Sequence, residues 1–325
     1  MRTRLAALVL CGLAATVACN RPKPAEEGAP AGALAKPTVA LVLKTLNSPF
    51  FIEMQRGAQK EADRQGVTLV VQAAEREVDV DKQMQIIENL IQTKVGALAI
   101  TPSGSKEVIP AIAKANQAGI PVVIVDTRVD PAAAKEAGIR IETFVGSDNY
   151  EGGKVAGQHL VEVSGGKAKV ALLEGIPGHE TSDSRLRGFK DAVKAAPGIQ
   201  VVASQTANWE RDQGFNVFQN MLQAHPEIDT LFACNDMMAL GALEAIQAAG
   251  RTGKVRVIGF DAVDDARKAM VAGTMVASVA QFPADMGRLA IESAVQLIHG
   301  QKPPAEHQVR IELVTKANAN AGAAH

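Results

Sequence analysis

Short apolar runs alternate with longer amphipathic stretches over most of the chain. The runs lie at 39–43, 67–71, 97–100, 122–125, 170–173, 201–202, 231–232, 255–258 and 276–280. Continuous apolar strands separated by helices are typical of a parallel sheet that is covered on both faces. These units are more than one open sheet comfortably holds, so the pattern predicts an α/β protein of two doubly wound lobes. A single (β/α) barrel is the alternative that the pattern leaves open.

The first residues follow a different pattern, in which arginines precede a nearly continuous apolar run over 5–18. The run has the length of a signal-peptide core and is shorter than a membrane-spanning helix. It ends at a small residue followed by Cys19, which resembles the lipobox of bacterial lipoproteins, although Thr16 stands where that pattern usually has leucine. We predict a signal peptide over 1–18 and lipid attachment at Cys19, with cleavage by the ordinary signal peptidase as the alternative. Either route leads to the periplasm or an extracytoplasmic membrane face, with the lipid as the only membrane contact.

Residues 19–37 are rich in Ala, Pro, Gly and Glu and show no apolar periodicity. Such a segment buries too little apolar surface to offset the entropy of ordering it, so we predict a flexible tether. Of the three cysteines, only Cys234 falls in the part that is predicted to fold, which leaves no disulfide there. Cys234 lies within an apolar run, and we interpret it as a small buried hydrophobe.

Charge and motifs argue against several classes of protein. The formal net charge is -1, so the sequence indicates no basic surface of the kind that holds nucleic acid. The glycine pairs at 152–153 and 165–166 lack the spacing and the hydroxyl of a phosphate loop. No nucleophile elbow and no metal-binding histidine pair is visible in the sequence. We therefore predict a protein that is not an enzyme and that uses no metal or cofactor.

Polar and aromatic residues follow the ends of the predicted strands, where ligands of open α/β sheets bind. These segments are 45–51, 126–128, 235–236, 260–261 and Gln281. Carboxylate, amide and guanidinium groups can pair with adjacent sugar hydroxyls, while aromatic rings cover the C–H faces of the sugar. Aromatic residues make up only 3% of the chain, so their position beside these polar groups favours a sugar site. The residue types alone leave the aspartates open to two other roles, as helix caps or as paired glycosidase carboxylates.

Several local signatures resemble those of the type I periplasmic binding proteins, and most closely their ribose-binding branch. The resemblance covers about residues 38–316 and rests on TLNSPFF at 45–51, GAQKEAD at 57–63, GSDN at 146–149 with GG at 152–153, ND at 235–236 with MALGAL at 238–243, GFD at 259–261 and AQ at 280–281. It implies two doubly wound parallel-sheet lobes joined by a three-strand hinge. One lobe would comprise 38–147 plus 282–310, and the other 148–281 plus 311–316. It also implies closure around one monosaccharide, which is then delivered to the permease subunits of an ABC importer.

The resemblance further implies a set of ligand-binding residues. Phe50 and Phe51 would cover the sugar from the first lobe, and Trp209 would stand on the opposite side, where the ribose-binding pattern has a Phe. The remaining positions are Ser48, Asp126, Arg128, Arg185, Asn235, Phe260, Asp261 and Gln281. The crossings between the lobes are expected near Ser147, near Gln281 and near Ile311.

Further departures from the ribose-binding pattern concern the choice of sugar. Ser48 stands where that pattern has an Asn. Thr127 separates Asp126 from Arg128, although the pattern has Asp followed directly by Arg, and residues 130–141 are inserted. We predict ribose or a close relative, and a hexose, a deoxysugar or a cyclic polyol is the alternative.

The same two-lobed core has two other uses. A regulator of the lactose-repressor type would need a helix-turn-helix ahead of the first strand, and this chain has the predicted signal peptide and tether there. A sugar sensor would dock in its closed form on a chemoreceptor or a histidine kinase. The sequence does not separate that role from transport, because both read the same closed lobes.

Overall fold

The structure is a computed structural model that describes residues 36–322. The predicted signal peptide, Cys19 and all but the last two residues of the predicted tether lie outside the described residues. Among the described helices, none is long and apolar enough to cross a membrane.

The described chain contains strands wherever an apolar run predicted one. The strands are β1 (Thr38–Leu43), β2 (Thr68–Ala73), β3 (Ala97–Ile100), β4 (Val122–Val125), β5 (Thr143–Ser147), β6 (Lys167–Glu174), β7 (Gly198–Thr206), β8 (Thr230–Ala233), β9 (Arg256–Asp261), β10 (Ala277–Ala280), β11 (Glu306–Val309) and β12 (Glu312–Thr315). Three of them, β5, β11 and β12, have no counterpart among the predicted runs. Strands β11 and β12 each have a single buried residue, so they lack the apolar run that marks a central strand.

Helices connect the strands, as the amphipathic stretches predicted. They are α1 (Pro49–Gln65), α2 (Val80–Gln92), α3 (Ile109–Gln117), α4 (Pro131–Glu136), α5 (Asn149–Ser164), α6 (Glu180–Val193), α7 (Arg211–Ala224), α8 (Asp236–Ala248), α9 (Asp264–Ala272) and α10 (Pro283–Ile298), followed by a 3₁₀ turn at Ala319–Gly322. The insertion at 130–141 contains α4, whose Asp130 side chain accepts a hydrogen bond from the Ala133 backbone and so caps the helix.

The strands form two open sheets of six strands each. The first has the order β11-β5-β4-β3-β1-β2, and its neighbouring strands are parallel. The second has the order β12-β10-β9-β8-β6-β7, in which β12 alone runs antiparallel to its neighbour. The two-lobed α/β architecture is thereby confirmed, and the single barrel is excluded.

Helices cover both faces of each sheet, which explains the uninterrupted apolar sequence of the central strands. In β1, Val39 and Leu41 pack with α1 and α10, whereas Ala40 and Val42 pack with α2 and α3. Successive side chains of a strand point to opposite faces, so a strand that is covered on both sides needs apolar residues at every position. All four of these side chains are fully buried.

The described chain passes between the two lobes three times. Strand β5 leads into α5, which packs against α6 and β10 of the second lobe. Strand β10 leads into α10, which packs against α1, β3 and β4 of the first lobe, and β11 leads directly into β12. These connections join lobes that are otherwise separate sheets with separate cores.

Candidate functional site

A cavity lies between the two lobes, at the carboxyl ends of their parallel strands. The first lobe contributes Lys44, Ser48, Phe50, Phe51, Glu77 and Asp126 to its wall, and the second contributes Thr181, Arg185, Trp209, Asn235, Asp261 and Gln281. Almost all of these side chains are buried, so the lobes enclose the cavity.

The aromatic wall of the first lobe is set by the start of α1. Ser48 is the N-cap residue and Pro49 occupies the first turn, where its fixed φ angle favours helix formation. Phe50 and Phe51 follow directly, with their ring centroids 5.2 Å apart and their planes at 87°. Both rings also pack into the core beneath the sheet. They therefore serve as core residues and at the same time offer ring surface to the cavity.

Three wall residues have strained backbones. Asp126, Trp209 and Asp261 have φ angles of 62°, 68° and 103°, in the left-handed region that residues with a Cβ rarely adopt. Such strain costs on the order of 1–3 kcal/mol per residue and is found most often at ligand clamps and active sites. Asp126 directly follows β4 and Asp261 ends β9, so the strain aims both carboxylates from the ends of their strands.

Arg185 is held rigidly in the wall of the second lobe. Its Nε donates to Asn149 Oδ1 at 2.9 Å, and its Nη1 donates to the Cys234 carbonyl at 2.6 Å. The guanidinium lies 3.7 Å from the centroid of the Phe260 ring and 3.8 Å from the Asp261 carboxylate. Two hydrogen bonds, a stacked ring and an ion pair together leave this side chain little freedom to move.

A close approach of two helices positions Arg185. A Cβ atom at Gly153 would lie 2.0 Å from the Arg185 carbonyl oxygen, which is far inside van der Waals contact. Only glycine therefore allows α5 to approach α6 at this point. The GG pair at 152–153, which carried part of the family resemblance, thus has a physical role in the site.

Asn235, Gln281 and Trp209 complete the polar part of the cavity wall. Asn235 donates to the Trp209 carbonyl at 3.0 Å and accepts from the Met238 backbone at 2.9 Å, so it both caps α8 and lines the cavity. Gln281 donates to Asp261 at 2.9 Å. By contrast, Trp209 Nε1 and Gln281 Oε1 are buried and hydrogen-bond to no group among residues 36–322. Buried polar atoms nearly always have a partner, so these two atoms suit a polar ligand.

The structure places two of the predicted ligand residues outside the cavity wall. Thr127 occupies the position directly after Asp126, and Arg128 turns away to stack 3.7 Å from the Phe144 ring centroid and to pair with Glu306. Phe260 precedes Asp261 on β9, so the alternation of a strand sends its ring to the opposite side. It is fully buried behind Arg185 and supports the guanidinium. The remaining predicted residues all line the cavity.

Three further residues line the wall and were not predicted from the sequence, namely Lys44, Glu77 and Thr181. Lys44 Nζ lies 3.4 Å from Asp126 Oδ2 and 3.6 Å from Glu77 Oε2, and all three side chains are buried. Thr181 Oγ1 lies 3.0 Å from Thr127 Oγ1 across the cleft. The position of Lys44, directly after β1, was a signal that could have revealed it, because ligand residues gather at strand ends.

Burial changes the acidity of several groups at the site. It raises the pKa of Glu77 to about 7, against the opposing effect of Lys44. It also raises the pKa of Asp261 to about 6, against the opposing effect of Arg185. His179, at the start of α6, has a pKa lowered to about 4, first by burial and then by the charge of Lys44. His179 is therefore neutral at physiological pH.

Polar contacts join the two lobes around the cavity. Besides the pair of threonines, the Glu180 backbone donates to Ser105 Oγ at 3.2 Å. Arg76 also pairs with Glu210 at 3.4 Å on the more exposed side of the cleft. These contacts fit a closed arrangement of the lobes, and within residues 36–322 no cluster of metal-ligating side chains is found.

Comparisons with known proteins agree with this geometry. A model of the periplasmic binding protein domain matches residues 39–302. The ribose import binding protein RbsB of Escherichia coli (strain K12) is 41% identical over 286 residues, which are 88% of this chain and 93% of that protein. The D-ribose/D-allose-binding protein of Pseudomonas aeruginosa is 39% identical over 290 residues, 86% of this chain and 89% of that protein. A crystal structure of an ABC transporter periplasmic solute-binding protein from Actinobacillus succinogenes 130z, with bound D-allose, is 40% identical. It superposes with a TM-score of 0.83 and covers 88% of this chain and 100% of that chain.

Proposed function

Because the chain belongs to the periplasmic binding protein family, we propose that it captures a monosaccharide between its two lobes and delivers it to the permease of an ABC importer. The observation that carries this proposal is the composition of the cavity wall. Three aromatic side chains, two amides, two cations and three carboxylates line the cavity. Charged and planar polar groups can bind several adjacent hydroxyls at once, which is the chemistry that a sugar presents.

The ligand that fits best is ribose or a sugar with the same arrangement of ring hydroxyls. Relatives at 39–41% identity are named for ribose or for ribose and allose, and the solved relative at 40% identity holds D-allose. The pyranose ring of D-allose is that of D-ribose with one added hydroxymethyl group. Ser48 lines the cavity and is small where the ribose-binding pattern has Asn, so it leaves room for that group. Allose is therefore the second candidate.

The site supports binding without catalysis. Asp126 and Asp261 are the carboxylates that could have formed a glycosidase pair. Asp126, however, accepts a hydrogen bond from Thr127 and pairs with Lys44. Asp261 accepts from Gln281 and pairs with Arg185. Both carboxylates are tied to partners that favour a fixed acceptor over a group that exchanges protons with a substrate.

We also propose that the chain works in the periplasm, exported by the signal peptide at 1–18 and anchored through Cys19 at the head of the tether. Growth with a labelled fatty acid is expected to label the full chain, and Cys19→Ser is expected to abolish the label and release the protein from membranes. Labelling that survives this substitution would remove Cys19 as the lipid site.

The proposed ligand is tested by thermal shift and calorimetry with D-ribose, D-allose, D-glucose and myo-inositol. A ligand that binds only the folded protein raises its stability by about 2.7 kcal/mol at a hundredfold excess over the dissociation constant. Ribose and allose are expected to raise the melting temperature, with little effect from the other two. Stabilisation by glucose or inositol alone would overturn the ribose-type assignment and leave the role in solute binding.

A further inference from the structure

Glu77 differs from the other two carboxylates of the wall, Asp126 and Asp261, which each accept a side-chain hydrogen bond. It is buried to 7% exposure and lines the cavity. Its nearest cation, Lys44, lies 3.6 Å away and is shared with Asp126, which lies 3.4 Å from it. Within residues 36–322, no hydrogen bond to its carboxyl group is found. A buried carboxylate in this situation is costly unless it is neutral or binds a ligand.

The charges of the cavity wall do not balance if Glu77 is ionised. Three carboxylates, those of Glu77, Asp126 and Asp261, then face two cations, Lys44 and Arg185. Lys44 lies nearer to Asp126, at 3.4 Å, than to Glu77, and Arg185 lies 3.8 Å from Asp261. With Glu77 neutral, the wall resolves into two complete pairs, Lys44 with Asp126 and Arg185 with Asp261.

Other charged groups that face Glu77 further disfavour its ionised form. Asp126 from the first lobe, and Glu210 and Asp261 from the second, all raise its pKa, and Lys44 is the cation that lowers it. Arg76 is half exposed and already paired with Glu210. His179, which faces Lys44, is neutral at physiological pH. Within residues 36–322, the cation that pairs with Glu77, Lys44, is therefore shared with Asp126.

We propose that Glu77 is enclosed as a neutral carboxylic acid when the lobes close on the sugar, so that capture takes up a proton and the acid donates a hydrogen bond to the ligand. The inference rests on the proposed function, because it concerns the same cavity. In open lobes the Glu77 carboxyl faces water and is expected to have a pKa near its ordinary value of 4.5, whereas in the closed form burial raises the pKa to about 7. The closed form therefore binds the proton more tightly.

The direction of the pH effect follows from this difference. The extra affinity is complete below the pKa of the open form, where Glu77 is protonated in both forms, and is lost as the pH rises through about 7. From linkage, the affinity for the sugar is expected to fall about tenfold between about pH 6 and pH 8, and about half a proton is taken up at pH 7. Asp261, with its pKa of about 6, adds only about a tenth of a proton at pH 7.

Calorimetric titration of the full chain with D-ribose and with D-allose, in buffers of different ionisation enthalpy, measures this proton directly. Glu77→Gln keeps the shape and supplies a permanent neutral donor. It is expected to lose most of the proton uptake and to bind at pH 8 about as tightly as the unsubstituted protein does at pH 6. Glu75→Gln is the matched control, because Glu75 lies in the same loop and its side chain is exposed. It is expected to behave as the unsubstituted protein.

The possible results distinguish a failure of this inference from a failure of the proposed function. If a sugar binds but its heat does not depend on the buffer, or if Glu77→Gln takes up as many protons as before, the inference is overturned and the proposed function stands. If neither sugar gives heat or a thermal shift, the proposed ligand is wrong and the inference falls with it. A merely structural role for Glu77 predicts weaker binding by Glu77→Gln at every pH.

Discussion

Replacing Asp261 by Asn should stabilise the protein and weaken sugar binding at the same time. The carboxylate is buried, accepts from Gln281 at 2.9 Å and lies 3.8 Å from Arg185. Burial nevertheless raises its pKa from 3.8 to about 6, so its environment disfavours the charge even with Arg185 nearby. A raised pKa of a carboxyl means that folding is penalised once the group ionises. Asp261→Asn keeps the shape and removes the charge.

The size of the effect follows from the pKa. A change from 3.8 to about 6 corresponds to about 3 kcal/mol of penalty on the charged form. The penalty is absent below about pH 4, where the carboxyl is protonated in both folded and unfolded chains, and is complete above about pH 6. Asp261→Asn is therefore expected to raise the free energy of unfolding of the sugar-free protein at pH 8, by up to about 3 kcal/mol where the lobes are closed and by less where they open, and by little at pH 4. Hydrogen bonds to charged groups contribute about 1.5–3 kcal/mol, so the sugar affinity should fall at least about tenfold.

Urea unfolding without sugar at both pH values gives the stability, and calorimetric titration with D-ribose gives the affinity. Asp212→Asn, which alters an exposed aspartate of α7, is the control and should change the stability by less than about 0.5 kcal/mol. A less stable Asp261→Asn protein at pH 8 would refute the reasoning about the buried charge. An unchanged dissociation constant would remove Asp261 from the site.

Three other expectations test different parts of the structure. Gly153→Ala places a Cβ 2.0 Å from the Arg185 carbonyl oxygen, so urea unfolding should show a loss of about 1–3 kcal/mol and calorimetry a weaker sugar affinity; unchanged values would contradict the close packing of α5 on α6. Arg128→Ala should leave the affinity within about twofold, because a surface substitution outside the cavity has little effect, and a tenfold loss would return Arg128 to the site. Small-angle scattering should show a smaller radius of gyration with saturating D-ribose, and identical curves would count against closure of the lobes.

Much of the fold could be predicted from the sequence because its central strands are buried on both faces. Strand β1 is apolar at every position from Val39 to Leu43, and so short a continuous apolar run is typical of a parallel strand that is covered on both faces. The edge strand β11 reads EHQV and gives no such signal. Its place is set by pairing with β5, which depends on the tertiary structure and not on local pattern.

The candidate site was harder to predict from the sequence than the fold. The extra Thr127 shifts the residue after Asp126 by one position, which is enough to send Arg128 to Phe144 instead of the cavity. That the Phe260 ring points away from the cavity could have been deduced from strand alternation once Asp261 was placed at the cavity. Glu77, in contrast, lies in a loop after β2 without a motif. Its closeness to Lys44 and Asp126 arises only when three strands meet at one edge of the sheet.

The cavity wall concentrates features that are costly in a closed protein and that a sugar could relieve. The unpartnered Trp209 Nε1 and Gln281 Oε1 and the excess of carboxylates all lie within one small volume. Each of these features disfavours closure without a ligand, and the apolar cores of the two lobes hold the wall residues in place. A ligand that offers hydroxyl donors and acceptors satisfies these groups only when both lobes surround it. Since a ligand shifts an equilibrium by its difference in affinity for the two states, such a wall makes closure depend on the sugar, and the same unsatisfied groups that lower stability supply the selectivity of capture.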